Sequence, residues 1–188
     1  LENDLLNNIE IFNPNRPATP AEQTETEDTI EKSFAKYAVN VILDNSTTER
    51  APVIIETTPS FVNLFGTIEK KYEQRGFWTT DFRYIKGGSL LKANGGYLIL
   101  NALDMLSEPG VWKVLKRLLL HRKLEIQPVD SYFQISQTML KPEAIDIDVK
   151  IILIGDQDID RTLYFHEEDF RKMFKVNSEF DYETPLTP

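Results

Sequence analysis

Asn94-Gly95-Gly96-Tyr97-Leu98-Ile99-Leu100-Asn101-Ala102 is the stretch on which the fold turns. Four apolar residues, Tyr97 to Leu100, follow a glycine pair, and this predicts a buried central strand of a parallel sheet. A second apolar run, Val149 to Ile154, ends in Gly155-Asp156 and predicts another. Helical patterns follow both. Val111, Val114, Leu115, Leu118 and Leu119 share one face, with Lys113, Lys116 and Arg117 opposite, Ser107 as N-cap and Pro109 in the first turn. Ile159 to Phe174 predicts a single amphipathic helix with Glu167-Glu168-Asp169 on its wet side. Strands alternating with helices place the chain in the α/β class. The 48 residues between Leu100 and Val149 leave room for a helix and a hairpin.

The flanking sequence is of a different kind. Leu1 to Phe12 carries apolar residues at 1, 5, 6, 9 and 12, a helical spacing that needs a partner surface. Residues 13–33 hold Pro14, Pro17 and Pro20 and an acidic Thr/Glu run, and read as a linker. Residues 34–181 are expected to form the α/β domain and 182–188 a tail. Within that domain Tyr37, Val39, Val41 and Leu43 alternate as in a strand, Asp44-Asn45-Ser46 supplies a turn, and Val53-Ile54-Ile55 forms a short strand behind Pro52. Leu124 to Gln127 reads as another short strand, before a meander through Tyr132 and Phe133. The absence of Met at position 1 and the Pro-rich end lead us to expect an internal segment of a longer protein.

Composition excludes several classes. With 41% hydrophobic and 11% aromatic residues the chain can pack a core. It has no Cys, so disulfides and thiolate metal sites are excluded. No apolar run approaches the roughly 20 residues of a membrane span and no signal peptide opens the chain, so a cytoplasmic location is expected. The net charge of −9 argues against nucleic-acid binding. It is unevenly spread: residues 61–125 carry 11 basic and 6 acidic groups, residues 126–188 carry 6 and 13. The basic middle is either a solvated face or a surface for a phosphate or an acidic neighbour.

Chemistry is conspicuous by what is missing. In P-loop nucleotide hydrolases a strand such as Tyr97–Leu100 ends in an Asp that helps hold Mg²⁺, often followed by a Glu that orients water. Here those places hold Asn101 and Ala102. None of the eight glycines begins G-x-x-x-x-G-K-[ST], so the chain has no P-loop. His121 and His166, the only histidines, stand 45 residues apart and form no zinc set, and no metal site is expected. No serine lies in a G-x-S-x-G elbow, and no catalytic residue is assigned. The aromatic pair Phe77-Trp78 beside Gly76 either contacts a polypeptide substrate or packs under its own hairpin.

Several ordered blocks resemble the AAA+ region of Lon-like proteases, of the archaeal-type and bacterial Lon-related kind. They are Ala51-Pro52-Val53, Pro59 to Glu69, Gly87 to Leu98, Trp112 to Arg117 and Phe170 to Phe180. The likeness runs from about Tyr37 to Asp181. It implies an AAA+-like three-layer module around a mainly parallel sheet, with an inserted hairpin and without the helical lid. It also implies a hexameric ring acting on protein substrates, a P-loop and helical region upstream, and a Ser-Lys peptidase domain downstream. Leu1–Phe12 would then end the upstream helical region. ATP and Mg²⁺ would belong to the full-length protein, with no cofactor in this segment. Asn101 and Ala102 occupy the positions of the Asp-Glu pair of active relatives. Asp156 stands where a polar sensor is expected, and Arg161 and Arg171 have the chemistry of an arginine finger. The resemblance thus points to a AAA+ segment that has lost its hydrolytic acids. Two other readings stay open: an active ATPase using Asp104 or upstream residues, and a non-enzymatic partner-docking module.

Overall fold

The computed structural model describes residues 3, 6, 9, 37–72, 78–128 and 140–179. The chain divides into two compact units, Leu1–Asn40 and Val41–Pro188. In the first, Asn3 and Leu6 are helical and Ile9 lies in a 3-10 turn; the linker, the meander through Tyr132 and Phe133, Phe77 and the tail 182–188 lie outside the described residues.

The second unit is built on a three-stranded parallel sheet. Its strands are β1 (Val53–Glu56), β6 (Tyr97–Asn101) and β9 (Lys150–Ile154), in the order β1-β6-β9. The run Tyr97–Leu100 is therefore central, as its apolar pattern predicts. Register places Ile54, Leu98 and Ile151 side by side, and Glu56, Leu100 and Leu153 beyond them. Leu98 and Leu100 are fully buried, each stabilising the fold by roughly 1.5–3 kcal/mol. Side chains alternate along a strand, so Val53, Ile55, Ile152 and Ile154 share the opposite face. That face is open, with exposures of 60, 68, 44 and 59%.

Between β1 and β6 come α1 (Phe61–Phe65), β2 (Thr67–Ile68), β3 (Lys71–Tyr72), β4 (Trp78–Thr79), a 3-10 turn (Phe82–Tyr84), β5 (Ile85–Lys86) and α2 (Ser89–Lys92). β3 and β4 pair antiparallel, as do β2 and β5. Ser60 caps α1 and Gly66, at φ 83°, ends it. Between β6 and β9 come α3 (Ala102–Ser107), α4 (Val111–His121), β7 (Lys123–Leu124) and β8 (Ile145–Asp146), and β7 pairs with β8. After β9 come α5 (Gln157–His166) and α6 (Phe170–Met173). One core joins Leu64, Phe65, Leu90, Leu98, Met105 and Leu115 across α1, α2, β6, α3 and α4.

Four expectations change. No strand forms over Tyr37–Leu43: Val39 and Val41 are exposed, and the alternation finds no partner strand among the described residues. Ser107 does not cap α4; its hydroxyl donates to the Leu103 carbonyl at the end of α3, and Gly110 holds the N-cap position. The strand expected over Leu124–Gln127 is shorter and starts earlier, at Lys123–Leu124. The helix expected over Ile159–Phe174 is two helices, because the chain leaves helical geometry at Glu167. Glu167 is accordingly not on a wet face: its carboxylate meets Lys116 of α4 at 2.5 Å, both groups being half-buried.

Candidate functional site at the C-terminal end of the sheet

Ligands of open parallel sheets gather at the carboxyl ends of the strands. Three chain segments converge there: Glu56 ends β1, Asn101 ends β6 opposite Ile154, and Asp156 follows β9 by two residues. The structure thus brings Asn101, Ala102 and Asp156 to one edge, as their ends-of-strand positions implied.

Asn101 and Asp156 each use a side-chain oxygen to hold backbone. The Asn101 carboxamide oxygen accepts from the Asp104 N–H at 3.1 Å and caps α3. Asp156 accepts from the Ile159 N–H at 2.9 Å and caps α5. Either cap satisfies an N–H that the helix itself leaves unbonded, and is worth about 1 kcal/mol. Ala102 is buried, and a Cβ placed on Gly155 would stand 3.2 Å from its methyl group. Position 102 thus holds a small side chain packed beneath the turn after β9.

Glu56 is a carboxylate at this edge that the sequence reading missed. It is committed as well: the buried Ser89 hydroxyl of α2 donates to one oxygen, and the Thr58 N–H donates to the other at 3.0 Å. A charged residue closing a short apolar strand was its only signal.

Beside the edge a cleft of about 420 Å³ lies among Leu103 and Leu106 of α3, Trp112 of α4, and Asp156, Ile159 and His166 of α5 and its cap. Trp112 also packs on Phe170 and Phe174, with ring centroids 6.2 and 6.4 Å away, and the Lys116 ammonium lies 5.6 Å from its ring. Its indole Nε1 is buried without a hydrogen-bond partner among the described residues.

The remaining predicted residues lie apart from this edge chemistry. Arg161 is exposed on α5, and the Arg171 guanidinium on α6 stacks over Tyr164 at 5.0 Å. Trp78 pairs with Tyr72 through the backbone of the β3–β4 hairpin. Asp104 lies in the first turn of α3 and is exposed. No group of three or more metal-ligating side chains occurs among the described residues, and none of the described helices is long and apolar enough to cross a membrane.

A magnesium–nucleotide site poised for hydrolysis needs anionic oxygens at the end of the central strand and donors around the phosphates. Asn101 presents a neutral carboxamide already used as a cap, and Ala102 presents a methyl group. These residues do not fit that group.

Two crystal structures of NtrX from Brucella abortus, one of them in complex with ATP, are similar to this chain. The first is 16% identical over 80% of this chain and 29% of its own, with a TM-score of 0.41. The ATP complex is 18% identical over 93% of this chain and 38% of its own, with a TM-score of 0.42. This chain therefore spans 29% and 38% of their respective lengths. No curated protein matches the sequence. A family profile described as LonB-like, AAA domain matches residues 49–181, and that stretch holds the whole parallel sheet and helices α1 to α6. The chain belongs to the LonB-like AAA domain family.

Proposed function

We propose that this chain is the part of a Lon-like protease's AAA+ module that serves ring assembly and substrate handling without supplying the acids of ATP hydrolysis. The observation that carries this reading is the dual state of Asn101 and Ala102. One is spent on capping α3 and the other is packed under Gly155. Without a carboxylate near metal and water, the charge developing in phosphoryl transfer goes unstabilised. The open sheet face bearing Val53, Ile55, Ile152 and Ile154 supports a second part of this reading. Parallel sheets are covered on both faces, so further elements of the parent protein complete the layer, and the P-loop region belongs among them. Peptide hydrolysis belongs to a separate Ser-Lys domain.

Two measurements on the full-length parent test this. Replacing Trp78 by Ala is expected to slow degradation of an unfolded protein at least tenfold while sparing small-peptide cleavage. Equal loss of both activities contradicts a substrate-handling role. Asp104→Asn is expected to leave nucleotide turnover unchanged, whereas its abolition would establish Asp104 as a replacement metal ligand and overturn the reading.

A further inference from the structure

Three helices of this chain, α3, α4 and α5, wall the cleft beside the C-terminal edge of the sheet. Leu103, Leu106, Trp112 and Leu163 give it an apolar interior. Leu103 is 58% exposed, so apolar surface is left in water there. At about 420 Å³ the space matches ligand pockets, which run to roughly 300–1,000 Å³. It does not lie on the open sheet face. Met105 of α3 and Leu115 of α4 pack into the core with Leu98 and Leu100, whose side chains point away from that face.

The polar groups of the cleft are acceptors. Glu167 is neutralised by Lys116. Asp156 gives one oxygen to the Ile159 N–H, and its other oxygen has no partner among the described residues. Asp158 forms no ion pair among them. The Thr162 carbonyl can only accept, so His166 donates through Nδ1 at 3.0 Å and its neutral ring offers Nε2 as an acceptor. No Lys or Arg is among the described residues that line the cleft. Two unpaired carboxylates beside an apolar trough repel an anion and attract a cation. Lys and Arg suit such a place, because their stems lie along apolar surface while their heads reach a carboxylate.

We infer that this cleft docks a segment of a partner protein in which apolar residues are flanked by Lys or Arg. The trough takes an apolar side chain against Leu163 and the Trp112 ring, and Asp156 and Asp158 take the cations. The inference is independent of the hydrolysis reading, which rests on Asn101 and Ala102.

The test is fluorescence anisotropy of two short labelled peptides with the full-length parent, one carrying two leucines between lysines, the other carrying them between glutamates. The lysine peptide is expected to bind at least tenfold tighter, and raised salt to weaken it. Asp158→Lys, at an exposed position, is expected to invert the preference, which a folding defect does not do. Leu103→Ser is expected to weaken binding at least threefold. Equal binding of the two peptides, no binding at millimolar peptide, or a lysine preference that survives Asp158→Lys each overturns the inference, as does binding indifferent to Leu103→Ser. Affinity that falls as protein concentration rises assigns the cleft to a second copy of this chain and overturns it too.

Discussion

Each end of the central strand has an asparagine, Asn94 in the loop before β6 and Asn101 at its last position, and they are used differently. At the N-terminal end Asn94 reaches across the fold. Its Nδ2 donates to the Asp146 carbonyl at 3.1 Å, and its Oδ1 accepts from the Asp148 N–H at 2.8 Å. The Gly95 N–H donates to the Asp148 carbonyl beside them. These bonds tie the loop before β6 to the loop before β9 and so fix the strand register. At the C-terminal end the Asn101 side chain, among the described residues, bonds only within its own turn, three residues away. One asparagine ties the sheet's loops together; the other caps the helix that follows its strand.

Substitutions at the two ends sharpen that contrast. Gly96→Ala should be the most severe, because an added Cβ would lie 2.0 Å from the Pro52 carbonyl oxygen, which already accepts from the Tyr97 N–H. Separating β1 from β6 is expected to cost about 3 kcal/mol or more in urea unfolding. Ala102→Glu comes next. A carboxylate forced into the contact with Gly155 should cost about 2–3 kcal/mol. If it is tolerated and confers nucleotide turnover, the C-terminal edge is an open catalytic site and the contrast collapses. Asn94→Ala removes two long-range hydrogen bonds and should cost about 1–3 kcal/mol. Asn101→Asp preserves the cap and should lie within about 0.5 kcal/mol of the wild type.

Acid should expose a further cap, away from both ends. The Arg83 N–H bonded to Asp81 holds that carboxyl below its ordinary value. A folded-state value lower than the unfolded one stabilises the protein above the unfolded pKa, and this stabilisation disappears as pH falls through the folded one. The stability difference between wild type and Asp81→Asn should therefore shrink as pH drops below about 4, as a pH series of thermal unfolding would show.

The legible parts of the fold were those decided by short-range apolar pattern. Tyr97–Leu100 is the inner strand that its pattern predicts, and the face Val111, Leu115 and Leu118 is buried as its spacing requires; Val149–Ile154 also yields a strand, β9, but at the edge of the three-stranded sheet and with none of its residues fully buried. Features decided by a distant partner were not legible. The helix after β9 stops at Glu167, whose carboxylate pairs with Lys116, 51 residues earlier. Alternation over Tyr37–Leu43 is a sound strand signal that finds no strand to pair with among the described residues. Asn101 and Ala102 were found because strand ends can be read from sequence. Their capping and packing roles were not, since a cap is recognisable only once α3 is known to begin at Ala102.

Paired measurements on one variant test the account most directly: stability and Mg²⁺-dependent ATP hydrolysis of the full-length parent carrying Asn101→Ala. A residue that serves as a helix cap predicts a loss of about 1 kcal/mol, with hydrolysis per folded molecule unchanged from the wild type. Unaltered stability together with a hundredfold fall in hydrolysis would contradict it, and would make Asn101 part of a working nucleotide site.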